Sequence, residues 1–119
     1  MSMLVYLAGP YTATGDKSVD DHIEQARRVA VELWDKGYYV ITPHLNTAHF
    51  EKYCQVADWS TFMEGDLRMI AACDVVVLLP GWRQSRGACI ERNYALRRGK
   101  VVCEYPNLPG RGQDDALNP

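Results

Sequence analysis

A run of five aliphatic residues, Val75 to Leu79, constrains the fold of this chain more than any other feature. Neither a polar residue nor alternation interrupts the run, and a short pattern of this kind predicts a strand that is buried on both faces. Strands with two buried faces belong to parallel sheets that are covered on both sides by helices. Pro80 and Gly81 end the run. We therefore expect a parallel sheet with this strand in its interior.

Helical and strand-like patterns alternate along the rest of the sequence. Ser18 is a suitable helix cap, Asp20 and Asp21 complement the dipole of the turn that follows, and Gly37 ends that helix. The predicted strands are residues 3–8, 38–42, 75–79 and 101–105, and two further helices are predicted at about residues 60–72 and 87–98. Residues 44–58 have weak periodicity and are predicted to form an active-site loop or a short irregular helix. This order predicts an α/β fold built on a doubly wound parallel sheet of four to five strands.

The composition fits one globular domain and argues against several kinds of partner. The chain has 119 residues, of which 47% are hydrophobic, and a net charge of -2. We expect one domain over residues 1–106 and a polar tail over residues 107–119. The small negative charge gives no reason to expect binding to polymeric nucleic acid or to a membrane. No apolar run approaches the ~18 residues of a membrane span.

The cysteines and the beginning of the sequence favour a reducing compartment. The four cysteines form no CxxC pair and show no zinc-ligand spacing with the histidines. Free thiols and no metal site are therefore expected. The sequence opens directly into a strand-like run, with no basic region and no cleavage site, so we expect a cytoplasmic protein.

Asp66 is a candidate general acid. On a helix, Phe62, Met63 and Ile70 share its face, because they lie at i−4, i−3 and i+4 from it. A carboxylate beside apolar side chains loses hydration, so its pKa should rise, as a general acid requires. The alternative is that Asp66 caps its helix or pairs with an arginine such as Arg68 or Arg92.

Glu91 is a second candidate, on the helix that follows the buried strand. Gly87 and Ala88 lie on its face one turn earlier, and these small residues leave room for a ligand in front of the carboxylate. The alternative is a surface glutamate in an arginine-rich helix. Two carboxylates on separate elements that converge on one strand end are typical of glycosyl transfer, in which one group protonates the leaving group and the other attacks or stabilises the sugar cation.

Three motifs in order carry a resemblance to a known family. They are Y-L-A-G-P near the N-terminus, D-L-x-x-I-x-x-C-D around Asp66, and S-x-G-A-x-x-E ending at Glu91. With them the chain resembles the nucleoside 2-deoxyribosyltransferase superfamily, which includes the 2'-deoxynucleoside 5'-monophosphate N-hydrolases. The resemblance implies a flavodoxin-like (Rossmann-like) sheet, a homodimer or larger homo-oligomer, and no cofactor. It also implies that Glu91 attacks C1' of the sugar, that Asp66 protonates the departing base, and that Tyr6 positions the nucleophile; from the pattern alone, Tyr6 is equally well explained as a core residue.

Ser85 bears on whether the substrate carries a 5'-phosphate. In the superfamily, the nucleoside transferases tend to have an acidic residue at this position, whereas the monophosphate hydrolases have serine. Ser85 and the amides of Gly87 and Ala88, at a helix N-terminus, would suit a phosphate, and Arg83 or Arg86 could add positive charge.

The loop after the first strand departs from the monophosphate hydrolases. Those enzymes carry a glycine-serine pair and an arginine there, whereas this chain has Gly9 and Pro10 followed by Tyr11 and Thr12. One phosphate contact is therefore missing from the expected set. Two aromatic residues that follow strand ends, Tyr11 and Trp82, are candidates for stacking on a base, and His44 is a candidate for contacting it. Core packing or solvent exposure is the alternative for each of them.

The sequence therefore predicts a small-molecule enzyme, either an N-glycosidase or a 2-deoxyribosyltransferase-like protein, that acts on a nucleoside or nucleotide. The alternative from another class is a non-catalytic nucleotide-binding sensor of the same fold. A phosphoribohydrolase of cytokinin-type nucleotides is disfavoured because Trp82 follows Pro80-Gly81, where those enzymes have a P-G-G-x-G-T-x-x-E run. An FMN-binding flavodoxin would need a Ser/Thr-rich phosphate loop, which residues 11–15 only partly supply.

Overall fold

A computed structural model describes residues 3–110 of the chain. In chain order the elements are β1 (Leu4–Ala8), α1 (Val19–Asp35), β2 (Tyr39–Ile41), α2 (Pro43–Asn46), α3 (Trp59–Ala72), β3 (Val75–Leu78), α4 (Arg86–Arg97) and β4 (Val101–Glu104), with single 3₁₀ turns at Phe50–Lys52 and Trp82–Gln84. All the predicted strands and helices are confirmed to within one or two residues. The predicted tail, residues 107–119, lies outside the described residues from 111 onward.

The four strands form one parallel sheet in the order β2-β1-β3-β4. The prediction of a parallel α/β sheet is therefore confirmed, with four strands. Strand β3 pairs with β1 on one side and with β4 on the other, and all its residues are buried. This environment explains the uninterrupted aliphatic run, because both faces of an interior strand meet helices.

Helices cover both faces of the sheet. On one face α1 packs against the odd-numbered core positions of β1 and β3, such as Val5 and Val77. On the other face, residues of α3 and α4, including Ile70 and Ala95, pack against Tyr6, Val76 and their neighbours. The alternation of side chains along a strand thus sends Val5 to the α1 side and Tyr6 to the α3–α4 side. Among residues 3–110, each helix is too short or too polar to cross a bilayer.

The ends of α1 follow the local sequence signals. The Ser18 side chain accepts a hydrogen bond from the Asp21 amide at 3.1 Å, and the Asp21 carboxylate accepts one from the Ser18 amide at 2.8 Å, which makes a capping box. Gly37 follows the helix with φ of 93°, a left-handed conformation that glycine adopts without strain.

The sheet order reverses between β1 and β3, and this point sets the place of the site. The chain leaves β1 toward β2 at one edge and leaves β3 toward β4 at the other. Ligands of open α/β sheets bind at the carboxyl ends of the strands where the order reverses. Ala8 and Leu78 pair at this end, and Gly9 follows so closely that a Cβ atom on it would lie 2.7 Å from Cβ of Leu79.

We expect Gly9→Ala to destabilise the protein by about 1–3 kcal/mol, because the new methyl group meets a Cβ atom that cannot move without its backbone. Gly65→Ala is the matched control, since it lies in α3 with no atom within 4 Å of the added Cβ. That substitution should stabilise the helix by about 0.5–1 kcal/mol. Urea unfolding of both variants measures the two free energies, and a Gly9→Ala protein as stable as the parent would contradict the close approach.

Candidate active site

Tyr6 and Glu91 form a buried pair between the sheet and α4. Tyr6 lies on β1 with 0% of its surface exposed, and Glu91 lies on α4 with 5% exposed. The Tyr6 hydroxyl donates a short hydrogen bond to Oε2 of Glu91. The alternative reading of Glu91 as a surface residue is therefore wrong, because α4 turns this face toward the sheet. Tyr6 is a core residue, as one interpretation of the sequence pattern predicts, and its hydroxyl also has a polar partner in Glu91.

Burial changes the acidity of this pair. The pKa of Glu91 is raised from its usual 4.5 to about 8, chiefly because burial removes hydration; the hydrogen bond from Tyr6 opposes this rise, and the Asp66 charge adds to it. Burial, followed by the charges of Glu91 and Asp66, keeps the pKa of Tyr6 well above its usual range. Tyr6 is therefore a permanent donor, and Glu91 holds a proton more tightly than an exposed glutamate.

Asp66 enters the same group from α3. It is half-buried, and burial raises its pKa from 3.8 to about 6, with the nearby Tyr6 hydroxyl opposing the rise. The rise in pKa that the sequence predicts is confirmed, with the predicted cause. Within residues 3–110, no salt bridge joins Asp66 to an arginine. Arg92, one suggested partner, instead lies over the Trp82 ring, 5.3 Å from its centroid.

Asp66 and Glu91 line one cavity of about 860 Å³ at the carboxyl end of the sheet. Its volume lies in the range of sites for small ligands and cofactors. The wall also includes many of the other residues that the sequence proposes, namely Gly9, Pro10, Tyr11, His44, Ser85, Gly87 and Ala88. Within residues 3–110, no three His, Cys, Asp or Glu side chains come together as a metal site would require.

Ser85 is the N-cap of α4, and this role limits what it can offer a ligand. Its Oγ accepts a hydrogen bond from the Ala88 amide at 3.1 Å, so that amide is already used. The Ser85 hydroxyl proton and the amides of Arg86 and Gly87 remain as donors at this end of the helix. Gly87 itself is approached by Cε of Met63, which would lie 3.0 Å from an added Cβ atom. The Met63 side chain, on α3, therefore occupies part of the space that Gly87 leaves.

The two arginines near Ser85 have different surroundings. Arg83 lies 3.4 Å from the Glu104 carboxylate and 4.6 Å from the centroid of the Trp82 ring. Arg86 lines the cavity, and its guanidinium lies 4.8 Å from the centroid of the Trp59 ring. Within residues 3–110, no carboxylate forms a salt bridge with Arg86. Of the two, Arg86 is the free cation beside the cavity.

Trp82 does not join the other proposed residues. Its indole N–H donates to the Glu104 carboxylate at 3.1 Å, and the ring packs on the hydrophobic cluster under α3 and α4. The 3₁₀ turn Trp82–Gln84 directs the ring toward β4, away from the residues that line the cavity. The suggestion that Trp82 stacks on a base therefore has no support from its position.

Tyr11 and His44 do lie at the cavity. The Tyr11 hydroxyl donates to the Glu51 carboxylate at 2.9 Å and accepts the amide of His49 at 2.7 Å. Nε2 of His44 donates to the Pro10 carbonyl at 3.0 Å, and burial lowers the pKa of the His44 ring. His44 is therefore a neutral ring that is fixed to the loop after β1.

Sequence reasoning missed one wall of the cavity. Trp59, Phe62 and Met63, all on α3, line it together with Asp66. The helical spacing that predicts an apolar flank for Asp66 also carried this information, because residues that share a helix face with Asp66 share its cavity. The wall residues Thr47, Glu51, Ala57 and Asp58 lie in the segment with weak periodicity, which gave no such signal.

The pKa of Glu91 leads to a prediction about stability. The unfolded chain ionises Glu91 near pH 4.5, but the folded protein keeps the proton to about pH 8, so ionisation favours unfolding as pH rises through that window. Glu91→Gln removes this effect and should be more stable than the parent at pH 8, by on the order of 3 kcal/mol. At pH 4 the two proteins should differ little. Urea unfolding at both pH values measures the difference.

The exposed Glu64 on the neighbouring helix provides the control, since Glu64→Gln should leave the parent's pH dependence unchanged. A Glu91→Gln protein that is less stable than the parent at pH 8 would show that the buried glutamate is ionised and well stabilised.

Two solved structures have a fold similar to that of this chain. The structure resembles a 2-desoxiribosyltransferase from Leishmania mexicana, with a TM-score of 0.62 and 20% identity over 87% of this chain, and it spans 63% of that enzyme's length. It also resembles a 2-deoxyribosyltransferase from Bacillus psychrosaccharolyticus, with a TM-score of 0.59 and 18% identity, over 94% of this chain and 80% of the other. No curated protein matches the sequence.

The resemblance that the sequence motifs carry is thus confirmed at the level of the fold. One family covers nearly the whole domain: residues 3–104 match the family described as "Domain of unknown function (DUF4406)". The chain therefore belongs to the DUF4406 family, and its fold is that of the 2-deoxyribosyltransferases.

Proposed function

We propose that this protein cleaves the N-glycosidic bond of a (deoxy)nucleoside 5'-monophosphate or nucleoside. The observation that carries the proposal is the meeting, at one cavity, of a buried glutamate held by Tyr6 and a half-buried aspartate with a raised pKa. A buried carboxyl pair of this kind costs stability, and such groups are concentrated at functional sites. The names of the two similar enzymes support glycosyl transfer as the chemistry.

In the proposed reaction Glu91 is the nucleophile. Its carboxylate attacks C1' of the sugar, the bond from C1' to the base nitrogen breaks, and Asp66 gives its proton to the departing base. A glycosyl ester on Glu91 results. Water, or a second base, then attacks C1' and releases the sugar from Glu91, and the ionised Asp66 takes the proton of the attacking group. Tyr6 holds Oε2 of Glu91 in place, so the free Oε1 is the attacking atom.

The protonation states decide when this reaction can run. Below about pH 6 both carboxyls are protonated, so Glu91 cannot attack, and above about pH 8 both are ionised, so Asp66 has no proton to give. Between these values the pair holds one proton, which must sit on Asp66 in the productive form. The positive charge that develops on the sugar favours this arrangement, because it stabilises an ionised Glu91.

We therefore expect the kcat/KM for base release to follow a bell-shaped pH profile, with limbs near pH 6 and pH 8. Chromatography of the free base, released from a panel of nucleosides and their monophosphates, provides the measurement. Asp66→Asn should remove the alkaline limb and should slow substrates with poor leaving bases most.

Glu91→Gln should lower base release by several orders of magnitude while the protein stays folded. Glu64→Gln again serves as the control and should keep full activity. Substantial base release by folded Glu91→Gln would overturn the mechanism. A nucleotide-binding sensor would instead bind members of the panel without releasing base from any of them.

We further propose that the α4 N-terminus binds the 5'-phosphate when one is present. The Ser85 hydroxyl and the amides of Arg86 and Gly87 supply hydrogen-bond donors, and the helix dipole favours an anion there. The Arg86 guanidinium, held over Trp59, supplies the charge that the loop after β1 lacks. Glu91 lies on the same helix beyond this end, so the sugar would lie between the phosphate and the base.

We expect the monophosphate to exceed the nucleoside in kcat/KM by on the order of 10²-fold, because charge-assisted hydrogen bonds contribute only to the phosphorylated substrate. Ser85→Asp should reverse this preference by placing a carboxylate against the phosphate. Ser85→Asn is the matched control, since it caps the helix without adding charge and should keep the preference. An unchanged ratio in Ser85→Asp would contradict phosphate binding at this end of α4.

A further inference from the structure

The Tyr11 side chain contacts both the cavity and the segment of residues 47–58. It lines the cavity, while its hydroxyl accepts the His49 amide at 2.7 Å and donates to the two Glu51 oxygens at 2.9 and 3.1 Å. A phenol has one proton to donate, and here that proton is committed to Glu51. Tyr11 therefore offers a ligand mainly the apolar surface of its ring.

His49 is held in a conformation that needs support. Its φ is 61°, and among residues 3–110 it is the one non-glycine residue with positive φ. This left-handed conformation costs free energy for a residue with a side chain. The bond from its amide to Tyr11 stabilises it, as does the 2.6 Å contact between its Nε2 and the Asp20 carboxylate at the start of α1.

The segment of residues 47–58 has few other anchors. It contributes Thr47, Glu51, Ala57 and Asp58 to the cavity wall, yet it contains only one 3₁₀ turn. Its large apolar side chains point outward, since Tyr53 is 78% exposed and Val56 is 92% exposed. A segment that buries so little apolar surface depends on specific polar contacts for its position.

The layout of the cavity indicates what the Tyr11 ring would meet. Ser85 follows β3, Tyr11 follows β1, and His44 follows β2, so these three residues lie in order along the sheet edge. Neighbouring strands are about 4.8 Å apart, so β3 and β2 are separated by roughly 10 Å, which is comparable to a nucleoside. With the 5' end at Ser85 and the sugar at Glu91, the base reaches the side of Tyr11 and His44.

We propose that Glu51 and His49 are positioning residues that fix the Tyr11 ring as a flat wall for the base and, through the same bonds, hold residues 47–58 against the cavity. The ligand that this wall fits is a planar heterocycle that is recognised by its face. The inference rests on the proposed function for the identity of the ligand, but it concerns binding and not bond cleavage.

The test measures binding and loop order separately. The four 2'-deoxynucleoside 5'-monophosphates are titrated by calorimetry into the Glu91→Gln protein, with and without Tyr11→Phe. The loss of the hydroxyl should weaken binding about five- to tenfold, because residues 47–58 are no longer held in place. Hydrogen exchange of residues 47–58 should become faster in the same protein. Tyr53→Phe, which removes a hydroxyl from the exposed part of the same segment, should change neither quantity.

Variants of Glu51 and His49 separate positioning from general stability. Glu51→Ala should reproduce the effect of Tyr11→Phe, whereas Glu51→Gln keeps an acceptor for the phenol and should restore most of the affinity. In a His49→Gly background the strain at positive φ is gone, so Tyr11→Phe should accelerate exchange less than it does in the parent. Agreement of these results with expectation supports the assignment.

Faster exchange with unchanged nucleotide affinity in Tyr11→Phe would overturn the inference, because the contacts would then serve the fold alone. Unchanged exchange and affinity would overturn it as well. Nucleotides that bind with the expected Tyr11 dependence, but lose no base to the parent enzyme, would overturn the proposed function and leave the inference standing. Failure of all four monophosphates to bind would overturn the inference together with the phosphate-binding proposal, whereas base release from a nucleoside would still satisfy the proposed function.

Discussion

The buried hydrogen bond between Tyr6 and Glu91 is the interaction on which the rest of the site depends. A carboxyl group with 5% of its surface exposed needs a polar partner, since an unpaired one would cost several kcal/mol. Tyr6 supplies that partner from β1, a strand whose central residues are fully buried and therefore cannot shift. The sheet thus holds the carboxyl group of Glu91 in place through Tyr6, while α4 supplies the glutamate itself. Sites that are built on rigid elements keep their geometry better than sites on loops.

The second carboxyl depends on the contact between α3 and α4. Asp66 reaches the cavity from α3, and its charge is close enough to raise the pKa of Glu91. Between the two helices, Cε of Met63 approaches Gly87 and would lie 3.0 Å from a Cβ atom added there. A larger residue at this position would have to displace the flexible end of the Met63 side chain, which lines the same cavity as the two acids.

The parts of this structure that sequence reasoning predicted are those that follow from periodicity. The run of aliphatic residues from Val75 predicts an interior strand because hydrophobic burial on both faces leaves no alternation. The helical spacing around Asp66 predicts its raised pKa because it places apolar side chains beside the carboxyl group, which then loses hydration. Tyr6 is different, because a tyrosine in an apolar strand looks like any core residue until its neighbours in space are known. Its partner, Glu91, is 85 positions away in the sequence. The pairing of β1 with β3, the strand that precedes α4, brings the two residues together.

The conformation of the segment that carries Glu51 and His49 could not be predicted from sequence patterns, for a different reason. Left-handed backbone is usually encoded by glycine or asparagine, and here it falls on a histidine that is held by contacts from two other elements. For Trp82, the sequence suggested a role that the structure does not support. Its place directly after β3 suggests a role at the strand end, but a single 3₁₀ turn is enough to point the ring toward Glu104. Local turns of this kind depend on tertiary contacts more than on sequence.

The charges of the cavity also limit how an anionic substrate can lie in it. A phosphate beside Asp66 and Glu91 would oppose the ionisation of Glu91, because like charges raise each other's pKa. At the N-terminus of α4, as proposed above, the same phosphate would meet free amides and the Arg86 guanidinium, and more than a helical turn would separate it from Glu91. One helix can thus bind a negative group at its end and hold a protonated acid in its second turn. The proposed orientation of the substrate, with its base toward Tyr11, keeps the phosphate away from the two carboxyl groups.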